Sequence, residues 1–401
     1  MSEDSISLDG ASRIRVIDLF SGAGGLSLGW LKAGSPNQVE LVAAVDNDPA
    51  LKELYAWNFP STQFLEYSFG DPMVGNGATN VLDALELEAG QVEVVLAAPP
   101  CQTFSAAGKR ILNGDAGLVF HVSDIVRILR PKVVLIENVP EFRRAQDGRL
   151  LGRLRVSLSD AGYSTNVRYL NAASFGVPQV RSRCFTLAIR KDLAFPLDVL
   201  RDHVHPTHNH AFERIGPTGN QQRELWASLP PPVSVAEAID DLPALLPGEG
   251  SQEAVLQTPA NSDYQHILRD AQNRLFNHLA VNHSAELVTA IARLQPGETP
   301  QRSVDHPLRR KDYFRAAYAR LDPDQPAPTI TTQTHNPGSG RFTHYRDHRV
   351  ITVREAARLQ GFPDAFRFFG SQHVQRRHVG NAVPPLLAEA IALTLLPILE
   401  S

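Results

Sequence analysis

Short apolar runs recur through the first 190 residues at spacings too wide for hairpins: residues 15–20 (RVIDLF), 41–45 (LVAAV), 92–97 (VEVVLA), 133–136 (VVLI) and 184–189 (CFTLAI). The stretches between them read as helical. Strand-length apolar runs alternating with helices predict βα units around a mostly parallel sheet flanked by helices, an α/β fold. From about residue 191 the texture changes. Proline and histidine accumulate, as in residues 203–210 (HVHPTHNH) and Pro230-Pro231-Pro232, and strand runs become rare. A smaller, irregular module is expected there, closing in Pro326-Ala327-Pro328 and the loop at 336–340. Residues 234–243 and 293–298 read as short helices within it. Beyond it, Thr352 followed three residues later by Glu355 has the spacing of a capping box and predicts a helix over 352–360. Residues 386–399 form an apolar helix expected to pack back on the first sheet. The division predicted is one domain of residues 1–190 plus 346–401 and a second of residues 191–345. No internal repeat or coiled-coil heptad is present.

Composition changes this picture little, and charge changes it more. A 401-residue chain with 43% hydrophobic residues builds an ordinary core without staples. The chain shows neither a charged-then-apolar leader nor an uninterrupted apolar run of about 18 residues, so no signal peptide and no membrane span are expected, and the location expected is cytoplasmic. Two cysteines make no disulfide framework and no cysteine-based zinc site. The net charge of −4 is uneven: residues 301–380 carry 14 Lys/Arg against 7 Asp/Glu, a local balance of +7 that leaves −11 on the remainder. A basic region on an acidic body suits a protein that grips a phosphate backbone with one face, although solvated helix faces produce the same count.

The candidate chemistry lies at the ends of the predicted strands. Ala98-Pro99-Pro100-Cys101-Gln102 follows the run at 92–97, and the prolines force the chain out of the ladder. Cys101 is thereby expected at the carboxyl end of a strand, where open α/β sheets place their ligands, as a nucleophile. Residues 18–29 read as strand, glycine turn and helix, but the dinucleotide fingerprint fails, because Ser27 stands where the third glycine belongs. That disfavours a dehydrogenase. Asp46 ends the second strand 22 residues past Gly24, placed to accept ribose hydroxyls. An adenosyl ligand without a diphosphate fits both facts. Glu137, in Glu137-Asn138-Val139, ends another strand and is expected to face the same crevice. Arg181 and Arg183 share one side of an extended segment, where guanidinium groups lower a thiol pKa or bind a base carbonyl. The alternative for Glu137 and Arg183 is an internal ion pair.

Taken in order, Phe20-Ser21-Gly22-Ala23-Gly24-Gly25, Pro99-Pro100-Cys101-Gln102, Glu137-Asn138-Val139, residues 179–183 (QVRSR), residues 354–363 (REAARLQGFP) and Gly380-Asn381-Ala382-Val383-Pro384-Pro385 resemble the DNA cytosine-5 methyltransferases, bacterial type. The resemblance spares only about 191–325, the family's variable target-recognition region. It implies the Rossmann-like fold of S-adenosylmethionine-dependent methyltransferases and the transfer of a methyl group to C5 of a flipped cytosine in a specific duplex sequence. It makes Cys101 the nucleophile that adds to C6, with Gln102 beside it. Glu137 contacts N3 and the exocyclic amine, Arg183 holds O2, and Arg181 and Asn138 support the site. It gives Phe20, Gly22, Gly24, Gly25 and Leu26 to the cofactor's surroundings, Asp46 and Asn47 to the ribose, and Asp71 to the adenine amine. Pro100 is a pocket wall, and Asn381 and Val383 meet the methionine end.

Residues 105–114, with Ser105, Lys109 and Arg110, form a loop expected to close over the extruded nucleotide. Gly338, Gly340 and Arg341 are candidates for base readout. The implied cofactor is S-adenosyl-L-methionine, released as S-adenosyl-L-homocysteine, with no metal; the 203–210 histidines lack ligand spacing. The partner is double-stranded DNA, alongside a separately acting cognate restriction endonuclease, and the enzyme is expected to be a nucleoid-associated monomer away from membranes. The sequence departs from the family's pattern at Ala97-Ala98 and Thr103, where glycines are usual. Cys184 is expected to be a core thiol. Two other functions fit the sequence less well. A tRNA cytosine methyltransferase on this scaffold is disfavoured by the long basic recognition region. A non-catalytic DNA-binding relative has little use for Cys101, Glu137 and Arg183 together.

Overall fold

The computed structural model describes residues 13–35, 37–70, 76–100, 117–193, 206–209, 228–303, 305–309 and 315–400. Seven strands form one sheet: β1 (Ile14–Leu19), β2 (Val39–Asp46), β3 (Gln63–Glu66), β4 (Val94–Ala97), β5 (Val133–Asn138), β6 (Tyr163–Asn171) and β7 (Ser182–Arg190). Their order is β3-β2-β1-β4-β5-β7-β6. The first five are parallel, and β7 runs antiparallel between β5 and β6. The five runs read from the sequence are all strands. Two strands escape that reading because they lie at the sheet edges. β3 has only four residues, and β6 (YSTNVRYLN) is half-exposed along most of its length and carries no apolar run.

Strand alternation divides the core into two layers. Val94, Leu96, Val133, Leu135, Phe185 and Leu187 face α1 (Gly25–Ala33) and α2 (Leu51–Asn58). Val95, Ala97, Val134 and Ile136 face α3 (Gly77–Leu85), α4 (Val119–Leu129) and α5 (Arg149–Asp160). Between residues 228 and 345 the described chain has three short helices, each started by a serine whose hydroxyl accepts a backbone N–H of the first turn: α6 (Val235–Ile239), α7 (Asp263–Leu268) and α8 (Ala285–Ala292). One hairpin, β8 (Gly250–Val255) with β9 (Arg274–Leu279), completes this part. The helix expected at 293–298 is absent. Ser284 starts α8 earlier, around Leu287, Ala290 and Ile291, and Pro296-Gly297 makes a turn with Gly297 at φ 74°.

α9 (Val353–Gln360) has the predicted capping box, with Thr352 Oγ1 accepting from the Glu355 N–H at 3.1 Å and Glu355 accepting from the Thr352 N–H at 2.7 Å. α10 (Gln372–Asn381) and α11 (Pro385–Glu400) follow. Residues 372–400 are long and apolar enough to cross a membrane by composition alone, yet α11 buries Leu387, Ala388, Ile391 and Leu395 in the layer that holds α1. Val235, Ile239, Leu242, Tyr264 and Leu268 belong to that same apolar cluster.

Candidate active site

The carboxyl ends of β1, β2, β4 and β5 lie side by side, since Leu19 pairs with Val45 and Ala97, and Ala97 pairs with Ile136. Everything chemical hangs from that edge. At β1 the chain turns sharply: Phe20 takes φ 53°, Gly22 φ 50°, and Gly24 sits in the left-handed region as the N-cap of α1. A Cβ on Gly25 would lie 2.0 Å from the Val383 carbonyl oxygen, so the start of α1 is pressed against the segment between α10 and α11. That contact fixes Gly25 as glycine and places Val383 beside the turn. A Cβ on Gly22, by contrast, meets nothing within 4 Å, which leaves its face open to a ligand.

Asp46 closes this turn from the neighbouring strand. Its Oδ2 accepts the Gly22 N–H at 2.9 Å and its Oδ1 the Asp48 N–H at 3.0 Å. Burial pushes its carboxyl above the usual range, with those two N–H bonds opposing. Beneath the turn, Asp18 is fully buried; Oδ2 accepts from the Ser27 hydroxyl at 2.6 Å, while among the described residues Oδ1 and the Ser21 hydroxyl have no hydrogen-bond partner. Burial raises the Asp18 carboxyl to about 7. Phe20 packs on Phe69 with ring centroids 4.8 Å apart. An open glycine turn, a carboxylate at its rim, unfilled buried acceptors and an aromatic wall fit a nucleoside with a zwitterionic tail, which is the chemistry of S-adenosylmethionine.

Of the other residues expected around this ligand, Asn47 and Asn381 are exposed and Pro100 is exposed at the end of β4. Leu26 is a core residue only 2% exposed, so only its backbone is available to a ligand. Asp71 lies outside the described residues, as do Cys101, Gln102, Ser105, Lys109 and Arg110.

The acid and arginine of the expected catalytic set meet directly, in the internal ion pair that was the alternative for both residues. Glu137 ends β5 and Arg183 begins β7, with Arg183 Nε 3.0 Å from Glu137 Oε1 and both side chains largely buried. Burial raises the Glu137 carboxyl, and Arg183 and then Arg181 oppose the rise. Arg183 Nη1 also donates to the Ser182 carbonyl at 2.7 Å. Asn138 is buried and its Oδ1 accepts the Val139 N–H at 3.0 Å, bracing the turn that leaves β5. Arg181 is buried and donates to the carbonyls of Ile330, Gly380 and Ala382 at 3.0, 2.9 and 3.0 Å. It thus joins the strand carrying Arg183 to the segment carrying Asn381 and Val383. Cys184 is a buried free thiol pushed up to about 11 by burial, as a core residue should be.

Two positioning contacts went unread in the sequence. Gln179 accepts the Ile330 N–H at 2.8 Å, donates to the Leu359 carbonyl at 3.0 Å and reaches Gln360, whose amide donates to Ala382 at 2.5 Å. Asp48, two residues past Asp46, is bound by Arg377 Nη2 at 2.5 Å and by His378 Nε2 at 2.8 Å, both from α10. More than 320 residues separate these partners. Only the polar, helix-shaped run before Gly380-Asn381 hinted at the second contact.

Gly338 and Gly340 lie in a turn at 337–339 and just after it; Gly340 is buried, and a Cβ there would lie 2.4 Å from the Phe342 ring. Arg341 is half-buried, its Nη1 donating to the Gly297 and Arg320 carbonyls at 2.7 and 2.8 Å. His344, Asp347 and Glu355 cluster as metal ligands do, but Arg349 donates to Asp347 at 2.6 Å and to both Glu355 oxygens at 2.8 Å. A guanidinium already satisfies those carboxylates. Of the histidine-rich loop at 203–210, only Pro206, Thr207, His208 and Asn209 are described, with His208 Nδ1 hydrogen-bonded to the Thr207 hydroxyl at 2.8 Å.

Sheet order, glycine turn and strand-end acid define an α/β methyltransferase of the S-adenosylmethionine-dependent class. Residues 14–396 match the model of the C-5 cytosine-specific DNA methylases, and the chain belongs to that family. It is 31% identical over 387 residues to the Type II methyltransferase M1.HphI of Haemophilus parahaemolyticus, covering 95% of this chain and 86% of that one. It is 32% identical to M.XorII of Xanthomonas oryzae pv. oryzae, over 94% of this chain and 82% of the other. A solved structure described as a prophage-encoded DNA modification methyltransferase of E. coli shares the fold at TM-score 0.73 and 24% identity, covering 97% of this chain and all of that one. The S. pombe Dnmt2 methyltransferase follows at TM-score 0.55 and 20% identity, over 96% and 99%. The chain's activity is cytosine-5 methylation of DNA, of the restriction-modification type.

Proposed function

We propose that the chain methylates cytosine at C5 within one specific duplex sequence through a covalent adduct on Cys101, with Glu137 and Arg183 gripping the extruded base. The observation that carries this reading is the Glu137–Arg183 pair, 3.0 Å apart at the strand end next to the one from which Pro99-Pro100-Cys101 departs. C5 of cytosine is too weak a nucleophile to take an alkyl group unaided, so a covalent detour is required. The Cys101 thiolate forms a bond to C6 as the C5–C6 double bond opens toward C5. Glu137, its carboxyl raised by burial, holds a proton against N3 and accepts from the exocyclic amine, which stabilises the added electron density. Arg183 donates to O2. Bound at the glycine turn, S-adenosylmethionine supplies an electrophilic methyl group. Loss of the C5 proton then restores the double bond and breaks the bond between sulfur and C6, freeing Cys101.

Gly22, Gly24, Gly25, Asp46 and Val383 would hold the cofactor, with Phe20, Asn47, Asp71, Pro100 and Asn381 around it. A duplex keeps its bases stacked, so the cytosine must rotate out of the helix to reach Glu137, and Ser105, Lys109 and Arg110 are proposed to close over it. The proposal extends to residues 191–345 as the target-recognition part, with Gly338, Gly340 and Arg341 among its readout candidates, and to a monomer acting in the cytoplasm beside a separate cognate endonuclease. The test is transfer of tritiated methyl groups from S-adenosylmethionine to duplex DNA and, separately, to tRNA. Label in the duplex alone is expected; label in tRNA alone overturns the reading.

A further inference from the structure

The outer edge of β6 borders an open cleft of about 570 Å³ lined by Arg143, Arg155, Arg168, Thr165 and Tyr169 together with the apolar Leu151 and Val167, with no carboxylate in its walls among the described residues. Arg143 belongs to residues 140–148, the segment that follows directly on Glu137-Asn138-Val139. Its guanidinium stands over the Tyr169 ring, 5.8 Å from the centroid. Arg155 projects from α5, is exposed, and donates Nε to the Thr165 hydroxyl at 3.2 Å. Residues 143–155 contain five arginines and one aspartate. Several other arginines are committed to structure: Arg181, Arg349 and Arg358 are buried on carbonyls or carboxylates, and Arg127 and Arg190 pair with aspartates on the surface, while Arg293, Arg302 and Arg315 are exposed in the second part of the chain. Among the described residues, no ion pair to a carboxylate is formed by Arg143 or Arg155, which leaves both charges available on this face.

The cleft also lies beside the reaction site. Tyr169 pairs with Cys184, and Cys184 pairs with Asn138. Two strand spacings of about 4.8 Å each put the Tyr169 end of the cleft roughly 10 Å to the side of the end of β5, while Thr165 lies level with Val134, four residues further back. Duplex DNA carries one negative charge per about 1.7 Å of axis, so a duplex that delivers a cytosine to Glu137 carries phosphates past a surface this near. We propose that the β6 cleft binds the phosphodiester backbone of the substrate duplex flanking the flipped cytosine, with Arg143 and Arg155 as the phosphate contacts. Guanidinium forks match pairs of phosphate oxygens, and hydroxyl groups such as those of Thr165 and Tyr169 are the usual neutral donors beside them. The inference rests on the reading of the chain as an enzyme that extrudes cytosine from duplex DNA.

The test is the affinity of the full-length protein for a duplex oligonucleotide as a function of sodium chloride concentration. In the double variant Arg143→Gln, Arg155→Gln, the slope of log K against log salt is expected to fall by about 2, close to 0.9 for each lost contact. Affinity is expected to weaken by the same factor on cognate and unrelated duplexes, with S-adenosylmethionine affinity unchanged. The variant Arg143→Lys, Arg155→Lys keeps both charges and is expected to keep the wild-type slope. An unchanged slope in the glutamine variant overturns the proposal, and so does an equal loss in the lysine variant, which marks a structural role. A slope that falls on tRNA but not on duplex DNA assigns the cleft to RNA instead and also overturns it. Failure of the wild-type protein to bind duplex DNA at all refutes the underlying reading, separately from the role of the cleft.

Discussion

Glu137 needs two properties that pull against each other: it must be buried enough to keep a proton near neutrality, and polar enough in its surroundings to hold a base. Burial raises its carboxyl, and Arg183 at 3.0 Å limits the rise. Replacing Glu137 with Gln keeps the shape and removes the proton exchange, so methyl transfer is expected to fall by about 10²–10⁴-fold in a tritium assay while cofactor affinity by calorimetry is unchanged. A fall below tenfold contradicts the role. Asp18 is the other displaced carboxyl, raised to about 7 beneath the glycine turn. Between pH 4 and 7 the unfolded chain gives up this proton while the native protein keeps it. The stability it contributes is therefore complete below about pH 4 and is lost as pH rises through 7. Asp18→Asn does not titrate, so urea unfolding at a series of pH values is expected to show the variant gaining on the wild type by about 1.4 kcal/mol per pH unit up to pH 7, then no further. A difference independent of pH refutes this.

At the scale of elements, the site exists because four parallel strands end together and a fifth, antiparallel strand brings an arginine back to the same edge. The parallel strands were legible because strands buried on both faces read as unbroken apolar runs. β6 was not, since an edge strand with the sequence YSTNVRYLN has no such run, and the cleft along it was therefore invisible from sequence as well. The Thr352–Glu355 capping box was legible to the residue. What it could not announce is that Glu355 also takes both forks of Arg349, which holds its carboxyl well below the usual range despite burial. Arg349→Met leaves Glu355 buried without its cation, and a loss of about 3–5 kcal/mol in urea unfolding is expected. A loss under about 1 kcal/mol indicates that Glu355 finds another partner. The Asp48 contact with Arg377 and His378 was unreadable for a different reason: pairing across more than 320 residues leaves no local pattern.

Across the whole molecule, one apolar cluster runs from the sheet into residues 235–268, and Arg358 binds Asp241 from one side and Asp364 from the other. The part of the chain proposed to read DNA is therefore anchored to α9 and, through Gln360 and Ala382, to the cofactor's edge of the sheet. Charge follows the same plan in part, with interior arginines such as Arg181, Arg349 and Arg358 committed to structure and Arg143 and Arg155 left beside the edge strand β6. The account's central claim is that this scaffold methylates cytosine in DNA through Cys101. Bisulfite sequencing of DNA from a host expressing the protein, set beside a host expressing Cys101→Ala, tests it most directly. The predicted result is a single methylated sequence motif in the first and none in the second. No methylated motif in the first, or the same motif surviving in the second, contradicts it.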